Sequence, residues 1–439
     1  MPQPTRHATL TSLALLAGLV LAGPVAFLKD GAVAGTASDG HATVPLSAMA
    51  TLGEKMFFDI ALSASGKQSC ASCHDPKTAY APNNALAVQL GGPHLDLPGF
   101  RAVPSLGYMN TTPVFEVGPE SLFEVEGQQA GAVARTTTGQ SKAEMAAQAM
   151  ANPVPEGGFF WDGRADTLEE QPAGPLLSPF EMANADAPTV VAKLKAAPYA
   201  ANFAALFGST FFDNVPMAMS EASFALARYE TEDPDFHFFS SKYDAYLRGK
   251  ATLTDDEMAG LKLFEDPKKG NCSSCHLDQI TPDGQFPVFT DFEYEALAVP
   301  RNPTIPANAD PRFFDLGICG PTRDDTHAHQ AANCALFKTP TLRNVATRHA
   351  FFHNGVFNNL DDVLHWYVER DTNPEKFYPR SGDGSVQTFN DVPPQYRGNV
   401  DVIDAPFNRH AGDKPALNDH EIDQIIAFLN TLTDGYARP

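Results

Sequence analysis

The chain is poor in tryptophan, cysteine and cationic side chains, and each shortage excludes something. Only Trp161 and Trp366 among 439 residues are tryptophan, so an indole at a reacting centre has two possible addresses. Lysine and arginine total 31 against 53 aspartate and glutamate, a formal charge of −22 that makes nucleic acid an unsuitable partner. After the N-terminal segment no stretch supplies the roughly 20 apolar residues of a membrane span. Continuous strand patterns are also scarce, while 36 prolines mark long ordered loops. The class left standing is mainly α, with much irregular chain.

What is present begins with an export signal. Arg6 and His7 precede an interrupted apolar run, Thr9 to Phe27, and Ala32-Val33-Ala34 offers a small-residue cleavage site. Residues 1–34 therefore read as a leader to the periplasm, with no membrane attachment after cleavage. An oxidising compartment suits the use made of cysteine.

Four of the six cysteines lie in two copies of one pentapeptide, Cys70-Ala71-Ser72-Cys73-His74 and Cys272-Ser273-Ser274-Cys275-His276. C-x-x-C-H is the attachment signal of c-type haem: two thiols add across the vinyl groups and the adjacent imidazole binds the iron. A shared zinc site built from two C-x-x-C halves leaves the histidine after each pair unexplained. Two covalently bound haem c groups are the expectation. Cys319 and Cys334 remain, and their default pairing in this compartment is a disulfide, with a free thiol pair the lesser alternative.

The approaches to the two signals resemble each other. Leu52-Gly53-Glu54-Lys55-Met56-Phe57-Phe58 leads into the first, and Gly260-Leu261-Lys262-Leu263-Phe264 into the second, behind an N-cap-like Thr254 with Glu257 three residues on. Each reads as an amphipathic helix, a Gly/Lys turn and the haem signal. Two cytochrome c-like domains follow, 35–240 and 241–439, one haem in each. Apolar spacings of three and four place further helices at 188–207, 218–231, 359–369 and 418–432. Residues 109–156, 300–335 and 371–412 read as loop excursions.

Further islands carry a resemblance: Phe160-Trp161-Asp162-Gly163-Arg164 running to Glu181-Met182, Lys338-Thr339-Pro340-Thr341-Leu342-Arg343-Asn344-Val345, and Phe352-His353-Asn354-Gly355. In order and spacing they resemble the bacterial di-haem cytochrome c peroxidases, including the MauG-like branch. The resemblance implies that the first haem handles hydrogen peroxide, the second stores and relays electrons, and Trp161 bridges them. It makes Glu181 the distal acid–base group, which takes a proton from one peroxide oxygen and gives one to the other. Pro179, Phe180 and Met182 suggest an apolar pocket around it, and Gln171 and Pro175 match further distal positions.

Two departures point to the MauG-like branch. The stretch from Met109 to Phe160 lacks the histidine that caps the peroxide haem in orthodox members, although Met145 or Met150 lies near enough in sequence to serve. The simplest expectation is an open first haem with His74 as its only protein ligand. No methionine follows Met258, and Tyr367 stands fourteen residues after His353, where the resemblance places the second haem's sixth ligand. Leu360, Val363, Leu364 and Tyr367 form a helical stripe that leaves His365 off it. A phenolate is a hard anion that favours oxidised iron, whereas a thioether raises the potential. The family often holds calcium between the domains, but its usual asparagine and threonine are Ala102 and Arg348 here. The implied activity is peroxide-driven oxidation of a periplasmic protein substrate. The alternatives are peroxide reduction with electrons from a small c-type cytochrome, and a non-catalytic di-haem carrier or sensor.

Overall fold

Short helices carry the fold, and their ends are set by local capping. In the computed structural model, which describes residues 45–118 and 154–436, the Ala48–Phe57 helix starts at Ser47, whose hydroxyl accepts from Ala50 N at 3.1 Å. The Asp255–Glu265 helix starts with the Thr254–Glu257 capping box that the sequence signals. Leader residues 1–34, Met145 and Met150 lie outside the described residues.

The two helices preceding the C-x-x-C-H signals pack in the same way. Ala48–Phe57 crosses Val215–Glu232 at Gly53, where an added Cβ would lie 1.9 Å from Ala225 O. Asp255–Glu265 crosses Asp419–Asn430 at Gly260, where it would lie 1.9 Å from Gln424 O. Only glycine permits such backbone contact. Four residues beyond each glycine, Phe57 and Phe264 are fully buried and anchor separate hydrophobic cores. One core draws on residues between Leu52 and Phe236, the other on residues between Tyr243 and Leu432. The described residues from Leu46 onwards form one compact unit.

The helix expected at 188–207 is two, Ala187–Ala196 and Ala200–Phe207. Pro198 explains the break: it lacks an N–H and forces the preceding Ala197 into extended backbone, ψ 149°. The other three appear as Val215–Glu232, Leu360–Glu369 and Asp419–Asn430, each opened by an asparagine cap. Strand content among the described residues is three two-stranded ribbons. One of them, Glu116–Gly118 with Val154–Glu156, closes the base of the 109–156 excursion. Cys319 and Cys334 form the expected disulfide. Among the described residues no helix is long and apolar enough to cross a membrane.

A buried ion pair fixes the second core against the Lys338–Val345 segment. Arg343 donates to both carboxylate oxygens of Asp244, at 2.6 and 2.8 Å, and neither side chain is exposed. Its remaining donors reach Pro287 O. Such a pair holds position rather than adding much stability, because desolvation offsets most of the attraction.

Candidate haem sites

Each C-x-x-C-H signal folds into one tight turn that presents its histidine in the same manner. Cys70–Cys73 forms a single helical turn, capped reciprocally by Ser69 and Ser72. The His74 amide donates to Cys70 O at 2.9 Å. In the second copy, Cys272–Ser274 is a 3-10 turn and the His276 amide donates to Cys272 O at 2.8 Å. The rings are tethered alike: His74 Nδ1 lies 3.0 Å from Tyr80 O and His276 Nδ1 lies 2.8 Å from Phe289 O. A carbonyl at Nδ1 assigns its proton there and leaves Nε2 as a lone-pair donor. Burial, reinforced at His74 by the Arg348 charge, holds both imidazoles down to about 4, so both rings are neutral at neutral pH.

None of the four motif cysteines is disulfide-bonded. Burial pushes the Cys70 and Cys272 thiols up to about 12 and Cys73 to about 11, Glu181 adding to the rise at Cys73. These are enclosed thiols rather than solution nucleophiles.

Beside the second signal lies a cavity of about 270 Å³. Cys272, Cys275 and His276 line it, and so does the whole stripe Leu360, Val363, Leu364 and Tyr367. The Tyr367 ring stacks on Phe407, centroids 5.6 Å apart, and its hydroxyl has no hydrogen-bond partner among the described residues. Burial, then the nearby Cys275 and Cys272, raise this phenol far above its ordinary range, so it ionises only against a strong positive centre. His365 is turned away, 3.7 Å from Asp361 and 3.5 Å from Glu369. Two thiols, a neutral imidazole and an unpartnered phenol around one largely apolar cavity form a donor set that fits an iron tetrapyrrole.

Trp161 also lines this cavity, and its indole donates to Ala102 O at 2.8 Å. The next residue, Asp162, is fully buried; burial pushes its acid upwards, but Arg101 and Arg164 outweigh that and hold it ionised. Arg164 also acts on Glu181, a pairing that the sixteen intervening residues hide in the sequence.

Glu181 lies close to the first pair of cysteines, where it acts on both. The carboxyl keeps an open face yet is set among dense surroundings, and burial raises it despite Arg164 and a hydrogen bond from Ser178. Its backbone is pinned: Gln68 Nε2 and Gly92 N both donate to Glu181 O, at 2.8 and 2.9 Å. The apolar pocket expected from its neighbours is only partly formed. Met182 is buried, but Pro179 and Phe180 are exposed because their tight turn projects them outwards. Gln171 is half-buried, with its backbone in the turn before Ala173–Leu177.

At the two positions where the resemblance places calcium donors, the Ala102 carbonyl is engaged by Trp161 and Arg348 brings a cation. Lys338, Arg348 and His353 line the cavity beside the second signal as well, and no local spacing marks them for it.

The comparisons with known proteins agree with this chemistry. Residues 47–252 match the family model described as di-haem cytochrome c peroxidase. The chain is 32% identical over 403 residues to methylamine utilization protein MauG of Paracoccus denitrificans, covering 89% of this chain and 90% of that one. Cytochrome c peroxidase Ccp of Escherichia coli is 26% identical over 71% of this chain and 51% of its own length. The crystal structure of the diheme peroxidase BthA from Burkholderia thailandensis matches with a TM-score of 0.75 and 40% identity, over 89% of this chain and 87% of that one. The chain belongs to the di-haem cytochrome c peroxidase family, oxidoreductases that use peroxide and carry two covalently bound haem c groups.

Proposed function

We propose that this is a periplasmic enzyme of the MauG-like branch, which uses hydrogen peroxide to oxidise a partner protein. Cys70, Cys73 and His74 hold the peroxide-reactive haem in the N-terminal domain, 35–240. Cys272, Cys275, His276 and Tyr367 hold the second in the C-terminal domain, 241–439. Haem iron, when bound, supplies the two-electron reduction of peroxide and stores the oxidising equivalents.

The chain's own residues divide the remaining work. Glu181 accepts a proton from one peroxide oxygen and returns it to the other; its raised pKa suits both directions. Arg164 steadies the carboxylate form before the first transfer and after the second. Gln171 is assigned to the same distal side by resemblance. Trp161, held by Ala102 O, supplies an oxidisable ring on the wall of the second cavity. Tyr367 gives that cavity an anionic oxygen donor, which favours the oxidised state and suits a haem that shares oxidation rather than one kept reduced as a reservoir.

The observation that carries this reading is Tyr367: it lies on the cavity stripe with His276, and no methionine follows Met258 to take its place. The likeness to cytochrome c peroxidase Ccp favours the second reading, peroxide reduction with a small c-type cytochrome as donor. One experiment separates the two. Purified holoenzyme is treated with one equivalent of peroxide and followed by optical and EPR spectroscopy, then offered reduced cytochrome c. A spectrally distinct oxidised state that involves both haems and decays slowly in cytochrome supports protein oxidation. Rapid cytochrome turnover with no such state selects the peroxidase reading. No reaction with peroxide leaves a di-haem carrier.

A further inference from the structure

We propose that Arg348, Lys338 and His353 bind the propionate carboxylates of the second haem, directing that haem's carboxylate edge towards Trp161. The inference rests on assigning the cavity to haem, but not on which substrate the enzyme oxidises.

All three side chains line the cavity with donors the protein does not use. Arg348 gives Nη2 to Val103 O at 3.1 Å and Ala350 O at 3.3 Å, and no carboxylate pairs with it among the described residues. Among the described residues the Lys338 ammonium donates only to Gly158 O, and it sits 5.6 Å from the Phe159 ring centroid. His353 is 7% exposed, stacks on Phe337 at 3.6 Å, and its Nε2 has no hydrogen-bond partner among the described residues. Buried polar groups are almost always satisfied, and a cluster of unspent N–H donors calls for an acceptor, here an anionic one. Two cavity carboxylates nearby are already neutralised: Asp315 by Arg101 and Asp391 by Arg301, each at 2.7 Å.

The covalent chemistry fixes the direction independently. On a c-type haem the thioether carbons and the two propionates occupy opposite edges of the macrocycle. The groups acting on Cys275 are the carboxyls of Asp291, Glu295 and Asp404, the first two pushed by burial up to about 8, and no cation stands among them. A propionate turned to that edge meets carboxyl groups and no cation, whereas the unspent donors adjoin the wall that holds Trp161: Lys338 N donates to Trp161 O at 3.0 Å, and Ala102, which accepts from the Trp161 indole, donates its own N–H to His353 O at 2.7 Å. Arg348 also acts on His74, so one guanidinium touches the electrostatics of both haem sites.

The test uses full-length holoenzyme and the variants R348M, R348K, H353F and E295Q. Intact mass first establishes two haems, the condition on which the cofactor reading itself depends. Resonance Raman propionate bending modes and spectroelectrochemical potentials are then compared. R348M should shift a propionate mode and lower the second haem's potential, because losing a nearby cation favours the more positive ferric state. R348K should restore most of both. H353F should shift the mode of the second haem alone, and E295Q should leave the modes unchanged. Unchanged modes in both R348M and H353F overturn the proposal. So does a shift in E295Q instead, or a shift that R348K fails to restore.

Discussion

Replacing Glu181 with glutamine separates chemistry from architecture, because the structure lets the size of each effect be worked out beforehand. The substitution keeps the side chain's volume. It also leaves the backbone anchors in place, since Gln68 and Gly92 hold the carbonyl of Glu181 rather than its carboxylate. Arg164 is not orphaned, because Asp162 remains 2.9 Å from its guanidinium. Stability and both resting haem spectra should therefore stay at parent values. The proton transfer is lost entirely. Removing a positioned acid–base group typically slows the step about 10²–10⁴-fold, which is about 3–5 kcal/mol of barrier at 1.36 kcal/mol per decade. The pH dependence gives a second signature. Burial raises the carboxyl above its usual 4.5, and only its ionised form accepts a proton. The parent's rate constant with peroxide should accordingly fall as pH drops through that elevated value. The variant should lack this limb. Stopped-flow mixing with peroxide across pH, followed at the Soret band, measures both. A variant reacting at the parental rate with the same acid limb would show that Glu181 is not the proton carrier.

Three further outcomes follow from the same structure. Tyr367→Phe should change the optical and EPR signature of one haem while the mass still shows two covalent haems; an unaltered low-spin signal removes Tyr367 as a ligand. Trp161→Phe should let the first haem react with peroxide but stop the second sharing the oxidation, read in the near-infrared. It should also cost about 1–3 kcal/mol of stability, because the buried Ala102 carbonyl loses its donor, and parental sharing would refute the bridging role. Gly260→Ala places a methyl 1.9 Å from Gln424 O, so the helices must part; a net loss of about 1–3 kcal/mol in denaturant unfolding is expected, and a neutral result would mean that the crossing is loose.

The parts of the site that were legible are those written in local spacing. The Leu360–Tyr367 stripe follows from helical periodicity, and all four members reach one cavity. The Thr254–Glu257 box and the doubled Gly-to-Phe approach were equally visible, because caps and crossings leave fixed residue intervals. The break at Pro198 was readable too, but apolar spacing on both sides masked it. What escaped was long-range electrostatics. Charged residues are usually solvated, so nothing in the order Lys338 … Arg348 … His353 says that three donors converge inside the protein. The action of Arg164 on Glu181 escaped likewise, since it depends on how the Trp161–Arg164 turn folds back. Side-chain type also misled at Pro179 and Phe180, where the turn faces them to solvent.

The two haem signals offer the same proximal chemistry, so any difference in behaviour must come from the residues that complete each site. Both histidines are neutral, both are tethered through Nδ1 to a carbonyl, and both follow a turn closed by the same amide-to-cysteine hydrogen bond. Ligand basicity therefore does not distinguish them. Near the first stands a carboxyl, weakened as an acid by burial and balanced by Arg164, which can hold or release one proton. Near the second stands a phenol with no hydrogen-bond partner among the described residues, which can only lose its proton to a positive centre. A proton carrier suits the breaking of an O–O bond, while an anionic oxygen donor suits the holding of positive charge. The division of labour proposed here thus rests on Glu181 and Tyr367 rather than on the haem signals. Exchanging the proximal turns between the two sites should leave each role where it is.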